Sequence, residues 1–313
     1  MSELDNFTPE LTADGSFTFF SQEFGESFHS HYGARQESFL KFVEPTQLAL
    51  KANQPKLRIL DICYGLGYNT AAALETIWSV NPDCDVEVIG LELNASVPQA
   101  AIAHHLFDTW KYKYTTILTQ LAYEQQVQTN HLRSELLIGD ARTTIRQVYH
   151  SGFRADAIFL DPFSPPQCPH LWTIEFIQQL ALCLHKDGLL ATYSCAAAVR
   201  TALLTAGLEI GSTPPVGRRT PGTVAAHPRG VGDREMGRRG EVFQQFPPSP
   251  TLLLSPSSYP LSQSEQEHLL TRAAIPYRDP ELKDLPDFIL RRRQQEQQAS
   301  SLEPTSRWRK RWY

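Results

Sequence analysis

Cysteine is scarce and unpaired in this chain. Its 313 residues hold five, Cys63, Cys84, Cys168, Cys183 and Cys195, with no CxxC spacing among them. An odd, dispersed set argues against a disulfide framework and against a zinc site, and it fits a reducing cytoplasm. Long apolar runs are missing as well: no stretch approaches the roughly 18 residues of a membrane span. The opening residues, MSELDNFTPELTADGSF, lack the basic start and apolar stretch of a signal peptide. The expected setting is therefore cytoplasmic, with no membrane partner and no metal. A dinucleotide fingerprint is also absent, because Thr70 stands where the third glycine of GxGxxG belongs, and no Lys follows to make a Walker loop.

What is present suffices for a packed core. Hydrophobic residues make up 41% and charged residues 20%, which excludes wholesale disorder. The length allows about two domains, or one enlarged α/β domain with appendages. The net charge of −5 conceals an uneven distribution: residues 291–313 carry +5 and residues 217–240 carry +4, leaving −14 for the rest. Such asymmetry fits a polyanionic partner, with a solvated helix and loop as the competing account.

Short β-branched apolar runs alternate with helical patterns. LRILDIC (57–63), VEVIGLE (86–92), ELLIGD (135–140), DAIFLD (156–161) and GLLATYS (188–194) read as buried strands. Between them, residues 68–80 place Leu74, Ile77 and Trp78 on one helical stripe, and residues 173–184 do the same with Phe176, Ile177, Leu180 and Leu184. Residues 196–210 read as a helix ending at Gly207 and then a strand, and 222–227 can close the sheet. Strands separated by helices predict βαβ units and a mostly parallel sheet of seven strands with helices on both faces. Residues 16–50 read as a loop and then a helix from Ala34 to Val43. Residues 228–262 read as irregular, and 261–275 and 284–298 as helices, the first capped by Ser262 or Ser264.

The strongest local feature runs from Leu60 to Asn69: a strand ending at Asp61, a turn with Gly65 and Gly67, then a helix. Glycines let the backbone approach a ligand closely, and the helix start supplies free N–H donors. The second strand ends at Glu92, where a carboxylate can accept both hydroxyls of a ribose. The third ends in Gly139-Asp140-Ala141 and the fourth in Asp161-Pro162-Phe163-Ser164-Pro165. One acidic strand end is commonly a loop cap. Four on one rim of a sheet point to a ligand site at its carboxyl edge.

These residues carry a resemblance. The acid followed by GxG resembles motif I of S-adenosylmethionine methyltransferases, which implies Rossmann-like class I architecture and a cofactor site built from Asp61, Gly65, Gly67, Asn69, Glu92, Asp140 and Ala141. In those enzymes the third strand end reads the adenine and the fourth hosts the chemistry. Phe159-Leu160-Asp161-Pro162-Phe163-Ser164-Pro165, with Cys168-Pro169-His170-Leu171-Trp172-Thr173 after it, resembles the signature of the MnmC-like methyltransferases, and Ser30 to Glu37 resembles their N-terminal segment. Over roughly 16–226 the chain is similar to that family, which installs the last methyl of 5-methylaminomethyl-2-thiouridine at the tRNA wobble position. Cys63-Tyr64-Gly65 departs from the Gly-Phe-Gly expected there, and the tail beyond about 228 does not match.

The resemblance implies methyl transfer from S-adenosylmethionine to a primary amine, with tRNA as partner. Asp161 is the candidate catalytic residue, accepting an N–H of the amine and aiming its lone pair. Phe163, Ser164, Pro165 and Trp172 are candidates for the substrate side, with core packing as the alternative for both rings. Glu37 is assigned a supporting place near the cofactor. His29, His31 and His170 read as loop hydrogen-bonders, and Cys63 and Cys195 as apolar fillers. Without GxGxxG, the expected form is the stand-alone methyltransferase lacking the FAD oxidoreductase half of bifunctional members. The expected organisation is an N-terminal loop and helix over the cofactor site (1–50), the methyltransferase domain (51–227), an irregular Arg/Pro-rich segment (228–262) and a helical basic extension (263–313). The tail from Ser306 to Tyr313 interleaves cations with aromatics, which suits single-stranded RNA, with a disordered end or a clamp on the acidic body as the competing accounts. Rival readings are a polyamine aminopropyltransferase, a small-molecule N-methyltransferase, and a catalytically silent RNA-binding module.

Overall fold

A computed structural model describes residues 7–217, 220–228 and 255–313. All six arginines of the 217–240 segment, and most of the 228–262 segment expected to be irregular, lie outside the described residues. Eight strands form one sheet. In chain order they are β4 (Lys56–Ile62), β5 (Asp85–Glu92), β6 (Gln126–Gln128), β7 (Leu132–Ile138), β8 (Ala155–Leu160), β9 (Leu184–Thr192), β10 (Glu209–Ser212) and β11 (Thr223–Ala226). Their spatial order is β10-β11-β9-β8-β4-β5-β7-β6. The five central strands run parallel, and β11, β10 and β6 are antiparallel additions at the two edges.

The expected sheet of seven strands thus gains an eighth. β6 has one apolar residue, Val127, between two glutamines, too short a run to register as a periodicity. A second departure lies at the N-terminus. Where a loop was expected, β1 (Pro9–Leu11), β2 (Phe17–Ser21) and β3 (Glu26–Ser27) make a small antiparallel sheet.

The helices follow the apolar stripes. They are α1 (Ala34–Glu37, continued as a wider π turn through Val43), α2 (Leu48–Lys51), α3 (Tyr68–Val80), α4 (Ser96–Ala103), α5 (Tyr112–Glu124), α6 (Ala141–His150), α7 (Ile174–Cys183) and α8 (Ala197–Thr205). Alternation along β4 sends Leu57 and Ile59 into the core shared with α3 and α5, and Leu60 and Ile62 into the core shared with α6, α7 and α8. The sheet is buried on both faces, as parallel sheets require. Chain order reverses between β4 and β8, so the crevice for a ligand opens at the carboxyl ends of these strands.

Beyond the sheet come α9 (Gln263–His268), α10 (Pro286–Ala299) and α11 (Thr305–Trp312). The helix expected over 261–275 is split. Ser262 and Glu265 form a capping box for α9, and Thr271 caps a separate short turn, Arg272–Ala274. The tail is a packed helix. Trp308 is buried, donates to the Ser264 carbonyl at 2.8 Å and stacks on His268 at 3.8 Å, while Arg311 pairs with Glu267 and Glu303. Trp308 therefore faces inward while Trp312 and Tyr313 stay exposed, and the RNA stacking expected of Trp308 gives way to the clamp.

The extension is bolted to the sheet by Arg200, only 2% exposed. Its guanidinium pairs with Glu265 at 2.8 Å and donates to Thr223, Ser212 and the Gly222 carbonyl. Removing one partner of a buried pair leaves the other charge uncompensated. Arg200→Met is expected to cost roughly 3 kcal/mol, the low end of that class, because Glu265 still reaches water. Urea unfolding would read this as a lower midpoint at an unchanged slope.

Candidate active site

Four strand ends converge on a cavity of about 1050 Å³. After β4 the backbone turns through Cys63, which holds φ +63 without being glycine, and Gly67 starts α3 at φ +97. A Cβ on Gly67 would lie 2.7 Å from the Tyr64 hydroxyl, so the turn admits no side chain there. Gly65 donates its N–H to Glu92 Oε2 at 2.8 Å, and Asn94 donates to Oε1 at 3.0 Å. Two backbone donors thus fix the Glu92 carboxylate, which still lines the cavity. Asp140 caps α6 at the end of β7, and Asp161 follows β8.

Glu37, Gly65, Glu92 and Asp140 all line the cavity, as do Ala141, Asp161, Phe163 and Ser164. Asp61, Gly67 and Asn69 stand behind its wall. Asp61 follows Leu57 and Ile59 on the α3 face of β4, is fully buried, and accepts from Thr70 at 2.7 Å. Asn69 donates its amide to Asp161 at 2.9 Å, which ties the first turn of α3 to the fourth strand end. Pro165 and Trp172 do not line the cavity. Trp172 is fully buried and donates to the Phe163 carbonyl at 2.9 Å, so it holds the loop and offers no face to a base. Of the two ring candidates, only Phe163 lines the cavity.

The N-terminal sheet closes the cavity. Phe24 stacks on Phe163 at 4.4 Å, Phe28 meets it edge-on at 5.0 Å, and Glu26 accepts both the backbone N–H and the hydroxyl of Ser164. Lys41 also lines the cavity. It is buried and donates to Glu37 at 2.6 Å, and Ser30 donates to the same carboxylate. Lys41, Glu26, Phe24 and Phe28 were missed from sequence. The spacing Glu37-x-x-x-Lys41 was the one available signal, since such pairs share a helix face.

Burial dominates the electrostatics. It pushes the carboxyl of Asp61 up to about 7, raises Glu92, and raises Asp161 well above the ordinary range despite the Asn69 hydrogen bond. Burial also pushes Glu37 up, but Lys41 and Ser30 outweigh it and leave that carboxyl low. His29 and His170, both lining the cavity, fall to about 4 by burial and stand neutral near pH 7. One oxygen of Asp61 has no partner among the described residues. The wall is rich in carboxyls, and Lys41 is already paired with Glu37. Such a cavity favours a ligand with hydroxyls and amines for the acids and positive charge near Asp61, Glu92 and Asp161. A nucleoside carrying a sulfonium and an amino acid tail has that chemistry. Among the described residues, no group of His, Cys, Asp and Glu is arranged to hold a metal ion.

A family model of S-adenosyl-L-methionine-dependent methyltransferases matches residues 104–228. The crystal structure of MnmC2 from Aquifex aeolicus superposes with a TM-score of 0.75 at 30% identity, covering 94% of this chain and 86% of that one. An uncharacterized protein of Methanocaldococcus jannaschii is 30% identical over 219 residues, 68% of this chain and 58% of its own length. The tRNA 5-methylaminomethyl-2-thiouridine biosynthesis bifunctional protein MnmC of Acidovorax sp. is 27% identical over 218 residues, 66% of this chain. The match spans only 33% of that bifunctional protein.

The Asp61 carboxyl titrates near 7 in the fold and near 4 in an unfolded chain, so the unfolded state loses its proton first as pH rises. Asp61 therefore drains stability between about pH 4 and pH 7. Asp61→Asn keeps an acceptor for Thr70 and removes the drain. Its unfolding free energy relative to wild type should climb across that window and level off above it, and a flat difference would contradict the assignment.

Proposed function

The chain belongs to the MnmC-type family of S-adenosyl-L-methionine-dependent methyltransferases, and we propose that it methylates the amine of 5-aminomethyl-2-thiouridine at the tRNA wobble position, giving 5-methylaminomethyl-2-thiouridine. The observation that carries this reading is Asp161, a cavity-lining carboxyl oriented by Asn69 at the fourth strand end beside the aromatic surface of Phe163. The bifunctional relatives, named for tRNA 5-methylaminomethyl-2-thiouridine biosynthesis, support the substrate.

Bound S-adenosyl-L-methionine supplies an electrophilic methyl group on a cationic sulfur. On this reading Glu92 takes the ribose hydroxyls, Asp140 and Ala141 the adenine, and Gly65 lets the backbone close on the ligand. Asp61, Gly67 and Asn69 support that surface from behind. Asp161 accepts an N–H of the neutral substrate amine and holds its lone pair on line, and the product proton can leave afterwards. Burial that raises Asp161 also makes it a better base than an exposed aspartate. Glu37 and Lys41 neutralise each other, so neither competes with Asp161 for the amine. On this reading the described residues of 51–227 form the methyltransferase unit, those of 1–50 cover its cofactor site, and 263–313 form the extension.

The deciding assay offers labelled S-adenosyl-L-methionine with tRNA bearing 5-aminomethyl-2-thiouridine, and separately with free polyamine precursors. Methyl transfer to the free amines but not to tRNA would defeat the proposal, and absent binding of S-adenosyl-L-methionine would favour a silent RNA-binding module. Asp161→Asn preserves shape and should lower kcat by about 10²- to 10⁴-fold, the usual share of a positioned acid or base. On the extension, Arg307, Arg309 and Lys310 are exposed on α11. Replacing all three with alanine should lower the slope of log tRNA affinity against log salt by about 2, at about 0.7 per phosphate contact on single-stranded RNA. An unchanged slope places the RNA elsewhere.

A further inference from the structure

The cavity wall at the end of β7 is tied to the extension by charged hydrogen bonds. Asp140 caps α6 by accepting the backbone N–H of Arg142 at 2.9 Å. The Arg142 side chain turns back onto the same carboxylate, with Nε 3.1 Å from each oxygen and Nη2 2.7 Å from Oδ2. Its Nη1 points away, 2.9 Å from Asp279 Oδ2 and 2.9 Å from the Asp284 carbonyl. Asp279 lies 137 residues further along the chain and is fully buried. Its second oxygen accepts the N–H groups of Lys283 and Asp284, and its own N–H donates to Glu175 at 2.8 Å.

This arrangement restricts Asp140 in two ways. A guanidinium is planar and permanently charged, so Asp279 at its far corner sets the plane in which it meets Asp140. A carboxylate offers about four acceptor sites. Arg142 meets these sites with three donors, its Nε–H shared between both oxygens, so at most about one stays free on a side chain that lines the cavity.

We propose that Arg142 and Asp279 are positioning residues: Asp279, carried by the extension, orients the Arg142 fork so that Asp140 presents one acceptor, which selects the exocyclic amine of the cofactor's adenine. The inference rests on the assignment of Asp140 to the adenine made above. It makes the extension part of the cofactor site as well as a surface for RNA.

The test compares the Kd of the full chain for S-adenosylhomocysteine and for S-inosylhomocysteine, in which a carbonyl replaces the 6-amino group. Wild type should prefer the adenosyl ligand by roughly 10- to 100-fold, the value of one hydrogen bond to a charged acceptor. Asp279→Asn and Arg142→Lys should each shrink that ratio at least about threefold, by weakening the same hydrogen bond. Arg311→Ala breaks the pairs with Glu267 and Glu303 in the same extension and should leave the ratio at its wild-type value. If Asp279→Asn does not fold, Arg142→Lys decides alone. Equal weakening of both ligands would show a merely structural role and overturn the inference. Asp140→Asn separates the two layers: if it leaves the ratio unchanged, the adenine assignment fails and this inference with it. If it collapses the ratio while the other two variants keep it, only the positioning role fails.

Discussion

Carboxyl groups buried at one edge of a parallel sheet are the constraint on which the rest of this structure depends. Asp61, Glu92 and Asp161 are each raised by burial, and the cavity-lining cations Lys41 and Arg142 are already held, by Glu37 and by Asp140 and Asp279. Burying an acid is unfavourable unless hydrogen bonds or positive charge compensate it. Here the compensation is partial. Thr70 serves Asp61, backbone N–H groups serve Glu92, and Asn69 serves Asp161, while one Asp61 oxygen is left without a partner. Such an edge favours a ligand that brings positive charge to these acids.

Around that edge, elements far apart in the chain do the closing. The N-terminal sheet brings Phe24 and Phe28 to Phe163 and Glu26 to Ser164, so the loop after β8 is held from above. Trp172 holds the same loop from below, and Tyr193 donates to the Pro162 carbonyl at 2.9 Å. The loop that carries Asp161 is consequently braced on both sides, which fits the positioning role proposed for it. The extension ties to the neighbouring strand end at Asp140 through Arg142, and to the sheet edge through Arg200.

Much of this edge could be read from the sequence. Each βα junction is local: an apolar run ends, an acid follows, and a glycine turn or a capped helix begins within a few residues. Asp61, Gly65, Glu92, Asp140 and Asp161 were all found that way. The same reasoning misjudged Trp172, because a tryptophan near a catalytic loop has one residue type for two roles, stacking face or buried strut. Only its full burial and the bond to Phe163 separate them. β6 and the N-terminal strands escaped because runs of two to five residues carry too little alternation to register.

The sequence by itself determined the succession of the central strands, the acidic rim and the family likeness, because each depends on residues within a turn or two of one another. The tertiary structure alone decided which of those acids face the cavity, which stand behind it, and which distant side chains hold them. Lys51 reaching the Asp156 carbonyl, Glu26 reaching Ser164 and Arg142 reaching Asp279 span 105, 138 and 137 residues. No local periodicity encodes such pairs, since they exist only once the sheet has brought its edges together and excluded water from between them.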